Sequence, residues 1–224
     1  MGSFMIRLEG VEKSYGQTRV LKGIDLEVGE GEFLSVTGSS GSGKSTLLNL
    51  IGAMDNADRG RIIIDGEEIS SYSEEQLTLH RRKRIGFIFQ SFNLLPNITV
   101  FENVELPLLL NGMRDEGRVI EMIRRVGLEE KQASYPYHIS GGEQQRVAIA
   151  RALVHDPDII LADEPTGSLD SHTGVMIMDL IKKLMEAAGK TIVMVTHEHH
   201  VARYADRIVT IRDGVIGTGE RSRS

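Results

Sequence analysis

The sequence predicts an α/β fold: a mostly parallel sheet, an antiparallel β layer beside it, and an inserted helical segment. Three observations carry that prediction. Short β-branched runs alternate with helical patterns along the 224 residues. Two of the runs, Ile159–Ala162 and Ile192–Val195, are apolar throughout rather than alternating, which suits central strands covered on both faces. Residues 91–139 contain Pro96, Pro107 and Pro136, are mostly helical in pattern, and lack a convincing strand.

The elements follow in order. Met5–Leu8 and Ile24–Val28 are strands with a turn signal at Gly16 between them, and Gly29-Glu30-Gly31 turns the chain into a third strand, Phe33–Thr37. A helix is expected over Lys44–Ala53, then a strand at Ile62–Ile64 ending in the turn Asp65-Gly66. Helix Glu74–Arg82 precedes strand Ile85–Phe89, and helices Val100–Leu110, Glu116–Val126 and Gly142–Val154 come next. Strand Ile159–Ala162, helix Thr173–Ala188, strand Ile192–Val195 and strand Ile208–Ile211 complete the pattern, with a last turn at Asp213-Gly214. The turn-broken early strands predict the antiparallel layer. The whole chain, 1–224, reads as one domain, with its core in 4–90 and 140–216 and a helical subdomain in 91–139.

Composition narrows the function. Apolar residues make up 40% and charged residues 26%, ordinary for a globular protein, and the net charge of −6 gives no support for nucleic-acid binding. The basic cluster His80-Arg81-Arg82-Lys83-Arg84 reads as a solvated helix end. The absence of cysteine excludes disulfides and thiolate chemistry. Apolar runs of four or five residues fall far short of the roughly 20 needed to span a bilayer, so any membrane link is expected through a partner. Met1-Gly2 is not a myristoylation start, because Ile6 stands where Ser or Thr is required, and Met1-Gly2-Ser3 reads as a cloning remnant.

Gly38-Ser39-Ser40-Gly41-Ser42-Gly43-Lys44-Ser45-Thr46 follows a strand and opens a helix, matching G-x-x-x-x-G-K-[ST] in its confirming context. Small residues let successive backbone N–H groups wrap a phosphate, and the helix N-terminus adds a favourable dipole. Lys44 is expected to reach the β- and γ-phosphates, with the Ser45 hydroxyl on Mg²⁺. The stretch 158–165, DIILADEP, ends a buried strand in Asp163-Glu164. Asp163 is placed to hold Mg²⁺ through water, and Glu164 to take a proton from the attacking water or orient it. The two motifs together predict ATP or a related triphosphate as substrate and its hydrolysis as the reaction. His197 follows another buried strand at the same catalytic edge and is assigned to the γ-phosphate. His199 and His200 lie beside it, but the spacing is not His-Glu-x-x-His, and they read as surface residues.

With Gln90, Ser140-Gly141-Gly142-Glu143-Gln144, Ser168-Leu169-Asp170 and Tyr15 added in this order and spacing, the chain resembles the ATP-binding-cassette family of transporter ATPases. The resemblance covers roughly 4–216, and ADEPTGSLD, FQSFNLLP and ENVELPLLL are similar to its lipoprotein-release and macrolide-export branch. It implies that Tyr15 stacks on adenine and that Gln90 senses Mg²⁺ and the attacking water. Asp170 joins the nucleotide-binding residues. The resemblance also implies that 91–139 receives a coupling helix from a separate integral membrane subunit. Ser140, Gly141 and Gly142 of one copy would cover the γ-phosphate bound by a second, giving a homodimer on ATP binding, at the cytoplasmic face of the inner membrane. The implied work is export or extraction of a lipoprotein, peptide or drug. A signalling or cell-division regulator that gates a membrane partner without transport is the alternative. Coiled-coil chromosome ATPases and tandem ribosome-acting cassettes fit less well, for the chain has neither a heptad run nor a second cassette.

The signature departs from the commoner Leu-Ser-Gly-Gly-Gln at Ile139 and Glu143. Ser140 and Glu143 fit a capping box, which would turn the Glu143 charge back toward the Ser140 N–H and leave the glycine amides facing an anion. Behind it, Val147–Val154 is apolar except for Arg151 and is expected to be buried.

Overall fold

The computed structural model describes residues 4–221, and from 218 on the backbone alone. The Met1-Gly2-Ser3 opening lies outside the described residues. In chain order the first elements are β1 (Phe4–Tyr15), β2 (Thr18–Gly29), β3 (Phe33–Thr37), α1 (Lys44–Ile51), β4 (Arg59–Ile64), β5 (Glu67–Glu68) and α2 (Glu74–Arg84). Then come β6 (Ile85–Phe89), α3 (Val100–Leu110), α4 (Glu116–Arg125), α5 (Gly141–Leu153), β7 (Ile159–Asp163) and α6 (Ser171–Ala188). The last are β8 (Thr191–Thr196), α7 (His199–Ala202), β9 (Arg207–Arg212) and β10 (Val215–Arg221). The chain forms two compact units, one of residues up to Arg81 with those from Gly189 on, the other Arg82–Ala188.

In the first unit, β1 and β2 form a long antiparallel hairpin, β4 pairs antiparallel with the other edge of β1, and β5 with β4. This is the expected antiparallel layer, and alternation builds it: Ile6, Leu8, Val11, Leu21, Ile24, Leu26 and Val28 point inward and are buried. Both hairpin strands run well past the apolar stretches that predicted them. Their outer halves are polar at every second position and become strand only through cross-strand pairing. The parallel part of this unit is β3, hydrogen-bonded on one side to β8 and on the other to β9, with β10 antiparallel on β9. Every residue of β3 and β8 is buried, as a strand covered on both faces requires. The basic cluster is not wholly solvated. Arg82 and Lys83 are exposed, but His80 is buried edge-on to Tyr72.

The second unit is built on the parallel pair β6–β7, registered Ile85↔Ile159 through Phe89↔Asp163. Helix α5 approaches β6 so closely that a Cβ on Gly86 would run into the Ala152 carbonyl and meet Ile160 Cδ1 at 2.7 Å. The ends of the pair are tied by Asp158 N donating to Arg84 O at 3.0 Å and by the Arg84–Asp158 ion pair at 2.9 Å. Residues 91–139 contain α3, α4 and two 3-10 turns, and no strand. Helix α3 begins with a capping box, Thr99 with Glu102. Its first two amides are also used, Val100 N donating to Ser134 O (2.8 Å) and Phe101 N to Gln132 O (3.0 Å). Asn103, fully buried, closes the preceding loop by accepting from Leu95 N and donating to the Leu95, Ile98 and Thr99 carbonyls. No helix among the described residues is long and apolar enough to cross a membrane.

Replacing Gly86 by Ala forces a methyl into the α5 backbone and is expected to cost about 1–3 kcal/mol, typical of an overpacked core. The urea-denaturation midpoint checks it. Gly117→Ala, whose Cβ meets only Asp115 Oδ1 at 3.5 Å, should leave that midpoint unchanged or raise it.

Candidate functional site

The first unit holds the phosphate loop. From Thr37 at the end of β3 the chain passes through Gly38, Gly41 and Gly43 at φ +156°, +77° and +107°, conformations L side chains rarely adopt. A Cβ on Gly38 would strike the Ile211 carbonyl, and one on Gly43 would meet Leu21 Cδ2 at 2.8 Å. Helix α1 starts with Gly43 as N-cap and no side chain capping it. Its leading donors are therefore directed at whatever enters the loop. Lys44 is buried, its Nζ donating to the carbonyls of Gly38 (2.9 Å) and Ser39 (3.0 Å). The Ser42 hydroxyl is buried without a hydrogen-bond partner, a condition that costs about 1–3 kcal/mol until a ligand satisfies it. An amide-lined cradle, an inward ammonium and an orphan hydroxyl fit a nucleoside triphosphate. Ser39, Ser40, Gly41 and Ser45 are exposed and Thr46 half-buried.

Tyr15 ends β1 with its ring 48% exposed. Its hydroxyl donates to Asp55 Oδ2 at 2.6 Å, and Lys13 Nζ sits 5.2 Å from the ring centroid. The bond to Asp55 raises the phenol pKa, with burial and the Asp55 charge adding to it and a Thr46 hydrogen bond opposing it. Burial pushes the Asp55 carboxyl up, but hydrogen bonds from Lys13 and Tyr15 outweigh it and hold the group below its ordinary range. Because Thr37 pairs with Thr196, Gly38 and His197 are the first residues beyond adjacent parallel strands. His197 is exposed there, and so are His199 and His200 on α7.

In the second unit the same register argument places Gln90 and Glu164. Phe89 pairs with Asp163, so both leave β6 and β7 side by side. Asp163 and Glu164 are half-buried, and Glu164 adopts φ +45°, a left-handed conformation uncommon outside glycine that recurs at functional turns. Gly167 N closes that turn on Glu164 O at 3.0 Å. Gln90 lies over Gly167, where an added Cβ would come within 2.8 Å of its Nε2.

The signature caps α5 as expected. Ser140 N and Oγ each donate to Glu143 Oε2 at 2.8 Å, and Glu143 N donates to Ser140 Oγ at 3.3 Å. The backbone bond from Ser140, then its hydroxyl, hold the Glu143 carboxyl below its ordinary range. Gly141 and Gly142 follow, and their amides have no partner among the described residues, unlike the equivalent pair in α3. Gly141 has the Leu169 and Phe92 side chains beside it, and Gly142 has no room for a Cβ against Thr173. The stretch from Val147 to Val154 is buried apart from a half-exposed Arg151. The Asp170 carboxylate is engaged at the start of α6, accepting from His172 N, Thr173 N and Thr173 Oγ1. The bond from the Thr173 hydroxyl leads in lowering its pKa. That cap explains why α6 starts two residues before the expected Thr173.

Tyr15, residues 38–46 and His197 thus belong to the first unit, while Gln90, Ser140–Gly142, Asp163, Glu164 and Asp170 belong to the second. Among the described residues no group of three or more His, Cys, Asp or Glu could hold a metal ion. Sequence reasoning missed Asp55 and Lys13, which hold Tyr15, and Gln145, a fully buried polar side chain whose carbonyl partner lies 20 residues away and leaves no local signal.

A glycine-built loop between a buried parallel strand and a helix start defines a phosphate-loop nucleotide-binding domain. The sequence pattern of the ABC transporter family matches residues 21–167, and the chain belongs to that family. It is 48% identical over 230 residues to the uncharacterized ABC transporter ATP-binding protein MJ0796 of Methanocaldococcus jannaschii, covering 98% of each chain. A solved dimeric structure of MJ0796, in a post-hydrolysis state bound to ADP and Pi, superposes with a TM-score of 0.90 at 46% identity, over 98% of this chain and 100% of that one. The lipoprotein-releasing system ATP-binding protein LolD of Bacteroides thetaiotaomicron is 45% identical over 215 residues, 95% of this chain and 99% of LolD. The macrolide export ATP-binding/permease protein MacB of Agrobacterium fabrum is 44% identical over 225 residues, 97% of this chain but 35% of MacB. These are the branches that the sequence resembled.

Ser140→Ala removes the cap and is expected to cost about 1 kcal/mol at neutral pH. Glu143 is more acidic in the folded state than in the unfolded chain. Its contribution is therefore present at neutral pH and lost as pH falls through the folded-state value. Denaturation midpoints of variant and wild type should converge on acidification.

Proposed function

We propose that this chain is the ATP-hydrolysing subunit of a membrane transporter, and that two copies close head to tail over two bound ATP molecules. The observation that carries the reading is the orphan Ser42 hydroxyl within the glycine-built cradle, with Lys44 already turned into it. The triphosphate lies along residues 38–46, its β- and γ-oxygens taken by backbone N–H groups and by Lys44 Nζ. Adenine stacks on the half-exposed ring of Tyr15. The Ser45 hydroxyl, and Asp163 through water, would hold Mg²⁺, which would supply positive charge to the phosphates, and Gln90 would sense the ion and the attacking water. A Glu164 carboxylate oxygen accepts the proton of that water, and His197 steadies the γ-phosphate. The Gly141 and Gly142 amides of a second copy cover the same phosphate, and Ser140 exchanges its bond to Glu143 for one to the phosphate as the copies close. Asp170 lies beside this contact. Release of the γ-phosphate removes what joins the halves, so the local loss of a charge is read out as separation. The ADP- and Pi-bound dimer of MJ0796 supports this cycle.

The 91–139 helices, set within a core of 4–90 and 140–216, receive the membrane subunit. Leu95, Leu109, Leu110 and Met113 are exposed on that segment and give it an apolar surface to offer. The names of LolD and MacB, lipoprotein release and macrolide export, favour export or extraction as the work, of a lipoprotein, peptide or drug in our reading, with the chain peripheral at the cytoplasmic face of the inner membrane. Reconstitution with the transmembrane subunit tests this, for ATP turnover without movement of any such substrate would leave a gating role instead.

Glu164→Gln is expected to bind ATP normally, to hydrolyse it at least about a hundredfold more slowly, and to accumulate as a dimer with ATP in light scattering. Wild-type turnover would overturn the assignment of the base. Lys44→Ala should lose nucleotide binding in a fluorescent-nucleotide titration.

A further inference from the structure

The Gln90 segment is held on both sides by a single helix. Before it, the Phe89 carbonyl accepts from Gln145 Nε2 at 3.5 Å, and the same Nε2 donates at 2.6 Å to the carbonyl of Pro165, the residue after Glu164. After it, Arg151 donates from Nη2 to Phe92 O at 2.8 Å and from Nη1 to Asn93 O at 2.6 Å. Phe92 and Asn93 are both left-handed, at φ +60° and +49°. Two successive non-glycine residues in that region cost roughly 1–2 kcal/mol each and persist only where something holds them. What holds them is a guanidinium whose own pKa is lowered by desolvation. A planar fork can serve two adjacent carbonyls at once, which a lysine ammonium cannot do with the same geometry. The Phe92 ring meanwhile lies against Gly141, an added Cβ there being 3.7 Å from Cζ. Gln145, Arg151 and Gly141 all belong to α5, whose other end is the signature.

We infer that Arg151, with Gln145, is a positioning residue: it fixes Gln90 in register with the signature-bearing helix, so that the end of α5 offered to a second copy and the Gln90 of the same copy move together. The inference rests on the role proposed for Gln90, and is tested by a double-mutant cycle. Arg151→Met keeps most of the stem and removes both donors. It should slow ATP turnover on the order of tenfold, since misplacement by an ångström is enough to cost that much, while nucleotide affinity stays within twofold. In nucleotide-free protein, amide exchange of residues 90–94 should accelerate while that of 38–46 does not. Arg151→Lys, able to reach one carbonyl, should fall between and serves if the Met variant does not fold. In a Gln90→Ala background Arg151→Met should add less than a further twofold. Full multiplication of the two losses, or unchanged exchange at 90–94, overturns the inference. Wild-type turnover in Gln90→Ala alone would instead remove the role given to Gln90, and the inference with it.

Discussion

A backbone amide or carbonyl can be used at close range only where no side chain stands in the way, and this protein depends on that constraint at two places. In the first unit, Gly38 and Gly43 let the chain fold tightly enough to aim donors inward and bring the Lys44 ammonium onto two carbonyls. In the second, Gly86 lets α5 settle on β6 at backbone distance. That contact sets the height of the helix on the strand, and Gln145 and Arg151 reach their carbonyls only from that height. The polar machinery is thus secondary to where Cβ atoms are missing.

The register of parallel strands does the remaining placement. Adjacent strands that end level deliver their next residues side by side, so Gly38 stands beside His197 and Gln90 beside Glu164 without any direct bond being required. This is the geometry by which open α/β sheets gather ligand groups at the carboxyl ends of their strands. The groups themselves sit on turns that the sheet holds rigid. Glu164, Phe92 and Asn93 all adopt strained backbone there, which is affordable only on such a frame.

Much of this was legible in the chain. Apolar runs without alternation gave β7 and β8, and the ends of α3 coincide with the expected Val100–Leu110. The capping box of α5 could be read from Ser140 and Glu143 because a cap is a contact between residues three apart. What could not be read depends on separation. β10 carries too few apolar residues to declare itself and exists because β9 offers an open edge. Arg151 looked like an exception in an apolar helix, since its partners at Phe92 and Asn93 lie 59 and 58 residues away. Asp55 likewise meets Tyr15 across 40 residues. Local chemistry shows in sequence, and chemistry that closes over long loops does not.

Helices α3 and α5 begin with the same box, Thr99 with Glu102 and Ser140 with Glu143. In α3 the next two amides, those of Val100 and Phe101, are spent on the Ser134 and Gln132 carbonyls. In α5 the two residues are glycines, and no group among the described residues accepts from their amides. A cap alone therefore makes a helix start, while a helix start becomes a receptor by omission, when the chain declines to fill the two positions behind the cap. At α5 the protein keeps in reserve what α3 has already used: two backbone donors, adjacent and pointing the same way along one helix axis, ready for an acceptor brought from outside the helix.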